Sequence, residues 1–149
     1  MDIIMIRHGE SEDNIKKVFS NYNTQLTEYG KKQITRTKES LKKYEFGNVY
    51  YSPLTRTNET RQYLGLEGVK EPRIAEIDFG IFTGLAYEEL TRLYPLESKQ
   101  WIKDPYTYSI LKGESINTVY KRVEEFLVEL ILKDKNTLLI THEGIIRII

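Results

Sequence analysis

The chain has 149 residues, 40% of them apolar and 30% charged, which fits one globular domain and excludes disorder, collagen and coiled coil as whole-chain structures. Lys plus Arg and Asp plus Glu each total 22, so the formal net charge is zero and neither a basic nucleic-acid footprint nor a polybasic membrane patch is expected. Cysteine is absent, which removes disulfides, thiolate metal sites and Cys nucleophiles, and the only histidines are His8 and His142. A strand opens the chain over Asp2 to Ile6, followed by a polar loop from Arg7 to about Asn14. Thr27 is placed as the N-cap of a helix that runs to about Lys43, with Ile34, Leu41 and Tyr44 on its apolar face. Val49-Tyr50-Tyr51 reads as a second strand, and Ser52-Pro53 as the cap and first turn of a helix over Leu54 to Leu64. The alternation in Arg73 to Ile77 predicts a third strand or extended segment. Tyr87 to Tyr94 predicts a short helix stopped by Pro95. Val119, Val123, Phe126, Leu127 and Leu130 mark the buried stripe of a long helix from Ser115 to about Leu132. The last strand is Asn136 to Thr141, and a helix begins near Glu143.

Strands separated by helices predict an α/β domain, a three-layer α/β/α sandwich with a largely parallel central sheet. The aromatic-rich stretch from Asp78 to Glu114 is expected to form a small irregular cap over one end of that sheet. No run approaches the ~20 apolar residues that span a bilayer, and the first residues lack the pattern of a signal peptide, so a cytoplasmic location is expected. The final helix stops after about two turns on apolar residues with no capping signal. The expectation is a single domain over 1–149 that lacks the rest of its last helix.

Ligands of open α/β sheets bind beyond the carboxyl ends of the strands, where both histidines of this chain fall. The first strand ends in Arg7-His8-Gly9-Glu10-Ser11 and the last in Thr141-His142-Glu143-Gly144. If these strands are parallel neighbours, the histidines meet at one rim. Two His with a nearby Glu could bind zinc, but Arg7 beside His8 would repel a cation. An anion site is the more economical assignment. Arg supplies a planar fork for phosphate oxygens, neutral His is a good nucleophile toward phosphorus, and Gly9 allows close backbone approach.

Arg7-His8-Gly9-Glu10-Ser11 resembles the RHG signature of the histidine phosphatase superfamily, which includes the cofactor-dependent phosphoglycerate mutases. The similarity continues in order along the chain: Asn14; Leu26-Thr27 with Gly30; Ser52-Pro53-Leu54-Thr55-Arg56; Glu76 with Gly80 and Gly84; Gly113-Glu114-Ser115; and Thr141-His142-Glu143-Gly144 with Arg147. The resemblance implies that His8 is a nucleophile forming phosphohistidine, that Arg7, Arg56 and His142 surround the phosphoryl oxygens, and that Glu76 is the acid that protonates the leaving oxygen and then activates water. It also implies substrate contacts from Asn14 and from Ser20, and no metal or other cofactor. Asp78 and Glu10 are rival acids near Glu76.

The resemblance alone spans mutases and phosphatases. The mutases are longer and carry Arg after the acid Glu, where this chain has Ile77. Hydrolysis of a small phosphate monoester is therefore favoured over mutase activity and over a non-catalytic phospho-ligand module. Trp101, Asp104-Pro105 and Gly113-Glu114-Ser115 resemble the α-ribazole-phosphate phosphatase branch, with sugar-phosphate and broad-specificity phosphatases as the other expectation. The expected partner is a small phosphate monoester, with no nucleic acid and no membrane, and the expected state is a monomer or homodimer.

Overall fold

The computed structural model describes residues 1–149. Four parallel strands, β1 (Ile3–Arg7), β2 (Asn48–Tyr51), β3 (Val69–Lys70) and β4 (Thr137–Thr141), form one sheet in the order β1-β4-β2-β3. The first and last strands are thus neighbours, in a register that sets Arg7 opposite Thr141. Every residue of β4 is buried, as expected for a strand covered on both faces. Successive side chains of a strand point to opposite faces. Leu138 and Ile140 pack with Leu26, Ile34 and Leu64 on one side, and Leu139 packs with Val119, Val123, Phe126 and Leu130 on the other.

The first side is covered by α2 (Glu28–Leu41) and α3 (Thr55–Leu64), the second by α6 (Ile116–Lys133) and α7 (Glu143–Ile148), which makes the three-layer sandwich. Thr27 caps its helix as expected, its side chain accepting the Gly30 N–H, and Ser115, read as the start of the long helix, is its cap and accepts the Thr118 N–H. The stripe predicted for α6 is the buried one, with Leu127 at its edge. No helix is long and apolar enough to cross a membrane.

Four local expectations are corrected. Residues 73–77 are not a strand. The third strand lies earlier, at β3, and a 3-10 turn (Pro72–Ile74) follows, because Pro72 cannot donate to a ladder and Glu71 accepts the Arg73 N–H instead. Ser52 does not cap α3, whose N-cap is Leu54. Pro95 ends one helix, α4 (Tyr87–Leu93), but also opens the next, α5 (Pro95–Lys103), at the first-turn position where its missing N–H costs nothing. The Arg7–Asn14 loop contains the start of a helical turn, α1 (Glu12–Lys16), in which Asn14 Oδ1 accepts from the Ser11 N–H and hydroxyl. The segment over 78–114 is accordingly more regular than expected. It encloses its own small core of Phe82, Leu90 and Ile110, with Phe19 and Trp101 packed against it and edge-on to each other.

Candidate active site

β1 delivers His8 to the sheet rim, and the strand pairing continues onto the residue itself, since the His8 N–H donates to the Thr141 carbonyl at 3.1 Å. The chain then turns at Gly9, whose N–H donates to Thr60 Oγ1 at 3.2 Å. A Cβ on Gly9 would lie 2.7 Å from the Gly30 carbonyl oxygen, so the close approach that requires glycine here is to the first turn of α2.

The His8 ring is buried and both its nitrogens are accounted for. Nδ1 lies 2.6 Å from the Gly9 carbonyl, which can only accept, so Nδ1 carries the proton. Nε2 receives the Arg56 Nε–H at 3.1 Å, and a guanidinium can only donate, so Nε2 presents a lone pair. Burial, then the charge of Arg56, and then that of Arg7 push the His8 pKa from 6.5 down to about 3, against the opposing effect of the Gly9 carbonyl. His8 is therefore neutral at pH 7, with a nucleophile's lone pair in place.

Arg56 stands in the first turn of α3 and is 1% exposed. Its Nη1 donates to the Asn21 carbonyl at 2.9 Å. Burial lowers its pKa to about 10, offset by the negative charges of Glu76 and Asp13, so it stays a cation at neutral pH. The Asn21 carbonyl is itself steadied by Asp13, whose carboxylate accepts from the Asn21 N–H at 2.8 Å and from Thr24 Oγ1. Sequence reasoning missed Asp13; its only signal was an acid next to Asn14 in a polar loop.

His142 follows β4 and is fully buried, its ring centroid 5.2 Å from that of His8. Its Nε2 lies 2.7 Å from Ser52 Oγ, which explains why Ser52 is not spent on capping. Its Nδ1 is buried with no partner in the protein. Burial, and after it the charge of Arg56, hold the His142 pKa well below the ordinary imidazole value.

Arg7, by contrast, is half-exposed and paired with Glu143 Oε2 at 2.8 Å, and Glu143 also pairs with Arg147. It lines a cleft of about 240 Å³ with His8, Glu10, Asn14 and Gln33. Glu76 is partly buried beside Gly144, where an added Cβ would lie 2.5 Å from its Oε1. Burial raises the Glu76 pKa, against the Ile77 N–H and the Arg56 charge. Glu76 borders two clefts of about 470 and 540 Å³; Ser20 lines the first, Trp101 and Tyr106 the second. The Glu76 segment is held by Arg122, which donates to the carbonyls of Arg73, Ala75 and Glu76 and pairs with Glu114.

The structure therefore brings His8, Arg56 and His142 into direct contact distance, with Arg7, Asn14 and Glu76 around them and Ser20 one cleft away. No three His, Asp or Glu side chains converge where they could hold a metal ion. A buried cation, a neutral imidazole whose Nε2 lone pair accepts from that cation, and an orphaned imidazole nitrogen form a pocket suited to an anion that can be attacked. Glu76, its pKa raised by burial, lies near enough for its charge and that of Arg56 to act on each other.

Comparison with known proteins gives the same picture. The family model for the histidine phosphatase superfamily (branch 1) matches residues 3–149. Phosphoserine phosphatase 1 of Hydrogenobacter thermophilus is 36% identical over 132 residues, covering 85% of this chain and 63% of that protein. Fructose-2,6-bisphosphatase of Saccharomyces cerevisiae is 34% identical over 150 residues, covering 99% of this chain and 33% of that protein. The chain thus spans less than two thirds of the length of either. The crystal structure of the α-ribazole phosphatase from Shigella flexneri superposes with a TM-score of 0.89 at 26% identity, covering 98% of this chain and 76% of that one.

Proposed function

From the premise that this chain belongs to the histidine phosphatase superfamily (branch 1), we propose that it hydrolyses small phosphate monoesters through a phosphohistidine on His8. The observation that carries the proposal is the His8 ring, fixed by Gly9 and Arg56 as a neutral imidazole with its lone pair on Nε2. On binding, the phosphoryl group takes over the Arg56 Nε–H from Nε2. The Nε2 lone pair forms the N–P bond while the bond from phosphorus to the leaving oxygen breaks. Glu76, whose carboxyl is shifted toward the protonated form by burial, gives its proton to that oxygen. Water then attacks phosphorus, Glu76 takes back a proton, the N–P bond breaks, and phosphate leaves with Nε2 restored. Arg56, His142 and Arg7 stabilise the charge on the equatorial oxygens, and Asn14 adds its amide N–H groups.

The substrate class follows from charge. The cleft beside Glu76 and Ser20 is lined by Asp78 and Glu114 as well, and its one cation, Arg122, is already committed to Glu114 and to main-chain carbonyls. Ile77 stands where a mutase carries Arg. This supports a monoester with no second phosphate over a bisphosphate or a mutase cycle. By similarity to the relatives named above, phosphoserine and α-ribazole phosphate lead the candidates, with sugar phosphates beside them. The test is turnover of p-nitrophenyl phosphate and of a panel of phosphorylated metabolites by the wild type and by His8→Ala. Wild-type hydrolysis lost by at least ~10³-fold in the variant is expected. Undiminished turnover in the variant would exclude His8 as nucleophile, and 3-phosphoglycerate isomerised faster than hydrolysed would favour a mutase.

A further inference from the structure

We infer that Ser52 is a positioning residue that sets the tautomer of His142, keeping its single proton on Nδ1 as a donor to the bound phosphoryl group. The inference rests on the phosphatase reading and adds to it a residue and an atom.

Ser52 and His142 are both fully buried, so each of their polar hydrogens and lone pairs must find a partner within the protein or in the ligand. Ser52 Oγ already accepts the Leu54 N–H, at 3.5 Å. Its 2.7 Å contact to His142 Nε2 can run in either direction. If Nε2 were the donor, the hydroxyl proton of Ser52 would have no acceptor. Nδ1 would then offer a lone pair, and this would face phosphoryl oxygens that carry lone pairs of their own. If Ser52 donates, its proton is satisfied and Nε2 is satisfied. The group left over is an Nδ1–H, the one polar atom of the ring without a partner in the protein. A buried N–H beside the His8 ring and the Arg56 cation is what an anionic ligand completes.

The tautomer matters because His142 is neutral. Burial, the Arg56 charge and the His8 ring together keep a second proton off it, so the ring has one hydrogen to place. The same sheet rim thus holds two neutral imidazoles in defined states. Gly9 and Arg56 keep the proton of His8 off Nε2, whose lone pair attacks; Ser52 leaves His142 a protonated Nδ1 to donate. A Ser52 hydroxyl is anchored for this task by its backbone, whose N–H donates to the Ile140 carbonyl at 3.0 Å and whose carbonyl accepts Thr57 Oγ1 at 2.8 Å.

The test is ¹⁵N–¹H NMR of the imidazole nitrogens at pH 7, with His8→Asn used to assign the two rings. In the wild type, His142 is expected to show a protonated Nδ1 and a bare Nε2, and inorganic phosphate should shift the Nδ1–H resonance. In Ser52→Ala the preference should give way to a tautomer mixture. Its kcat for p-nitrophenyl phosphate should fall by roughly 10- to 100-fold, the range for outer partners that orient a functional imidazole. A wild-type His142 protonated on Nε2, or doubly protonated, overturns the inference, and so does Ser52→Ala with the wild-type tautomer. The wild-type spectrum decides alone if Ser52→Ala does not fold. Because it needs no turnover, an inactive protein with the expected tautomer would count against the phosphatase reading, and an active one with a bare Nδ1 against this inference only.

Discussion

Acid should unfold this protein partly through His8. In the unfolded chain His8 titrates near 6.5, whereas in the folded site burial and Arg56 hold it at about 3. Between those values the unfolded state binds a proton that the native state refuses, so stability falls as pH drops from 6.5 and the loss is complete near pH 3. At ~1.4 kcal/mol per pH unit, the whole interval corresponds to roughly 5 kcal/mol, and by pH 4.5 about 3 kcal/mol is gone. That is a large share of the ~5–15 kcal/mol that holds a typical domain together. His142, also held low, acts in the same direction. Glu76 acts in the opposite one, since a carboxyl raised by burial favours the folded state while protonated and loses that contribution as pH rises through its folded pKa. Urea unfolding of the wild type and of His8→Gln at pH 7 and pH 4.5 isolates the His8 share, because the other groups are common to both. The wild type should lose about 3 kcal/mol more than the variant over that interval. Equal losses would refute the claim that the site holds His8 neutral. The same pKa removes His8 from the pH profile of kcat/KM, so an acidic limb near 6.5 that tracks His8 would refute it as well.

The other expectations are local. Arg56→Lys keeps the charge but cannot donate to both His8 Nε2 and the Asn21 carbonyl, and kcat/KM for p-nitrophenyl phosphate should drop by ~10²–10³-fold with little change in thermal midpoint. Gly144→Ala places a Cβ 2.5 Å from Glu76 Oε1 and should displace the acid. Turnover of alkyl phosphates, which need leaving-group protonation, should then fall more than that of p-nitrophenyl phosphate; parallel losses would count against Glu76 as the acid. Arg122→Met strips donors from three main-chain carbonyls and from Glu114, and urea unfolding should show a loss of about 3 kcal/mol.

Two kinds of information were legible without coordinates. Alternating hydrophobic periods marked the strands and long helices, because a buried face must repeat with the period of its element. That is why β1, β2, β4, α2 and α6 fall where the pattern puts them, with Thr27 as a cap. Polar residues at two strand ends marked the rim, and the parallel pairing of β1 with β4 brings His8 and His142 within 5.2 Å, the neighbour relation on which the sequence argument depended. The shorter elements were lost because local side-chain hydrogen bonds and a proline, not a hydrophobic period, start them. Asn14 and Ser11 define α1, Glu71 and Arg73 make a turn of an alternating run, and Pro95 opens a helix that its residue type suggested only as a stop.

What the sequence by itself determined, then, is the inventory: an α/β sandwich, a pair of histidines and a set of arginines and acids placed to meet at one rim. Tertiary structure decided the states of those groups. Two buried protein contacts, the Gly9 carbonyl and the Arg56 Nε–H, fix the lone pair of His8 on Nε2, and a buried serine hydroxyl meets His142. It is also tertiary structure that holds Arg56 inside the pocket while Arg7 remains at the edge with Glu143. The reason is that protonation and charge depend on burial and on partners distant in the chain: 48 residues separate His8 from Arg56 and 90 separate Ser52 from His142. Only the folded chain brings them within reach.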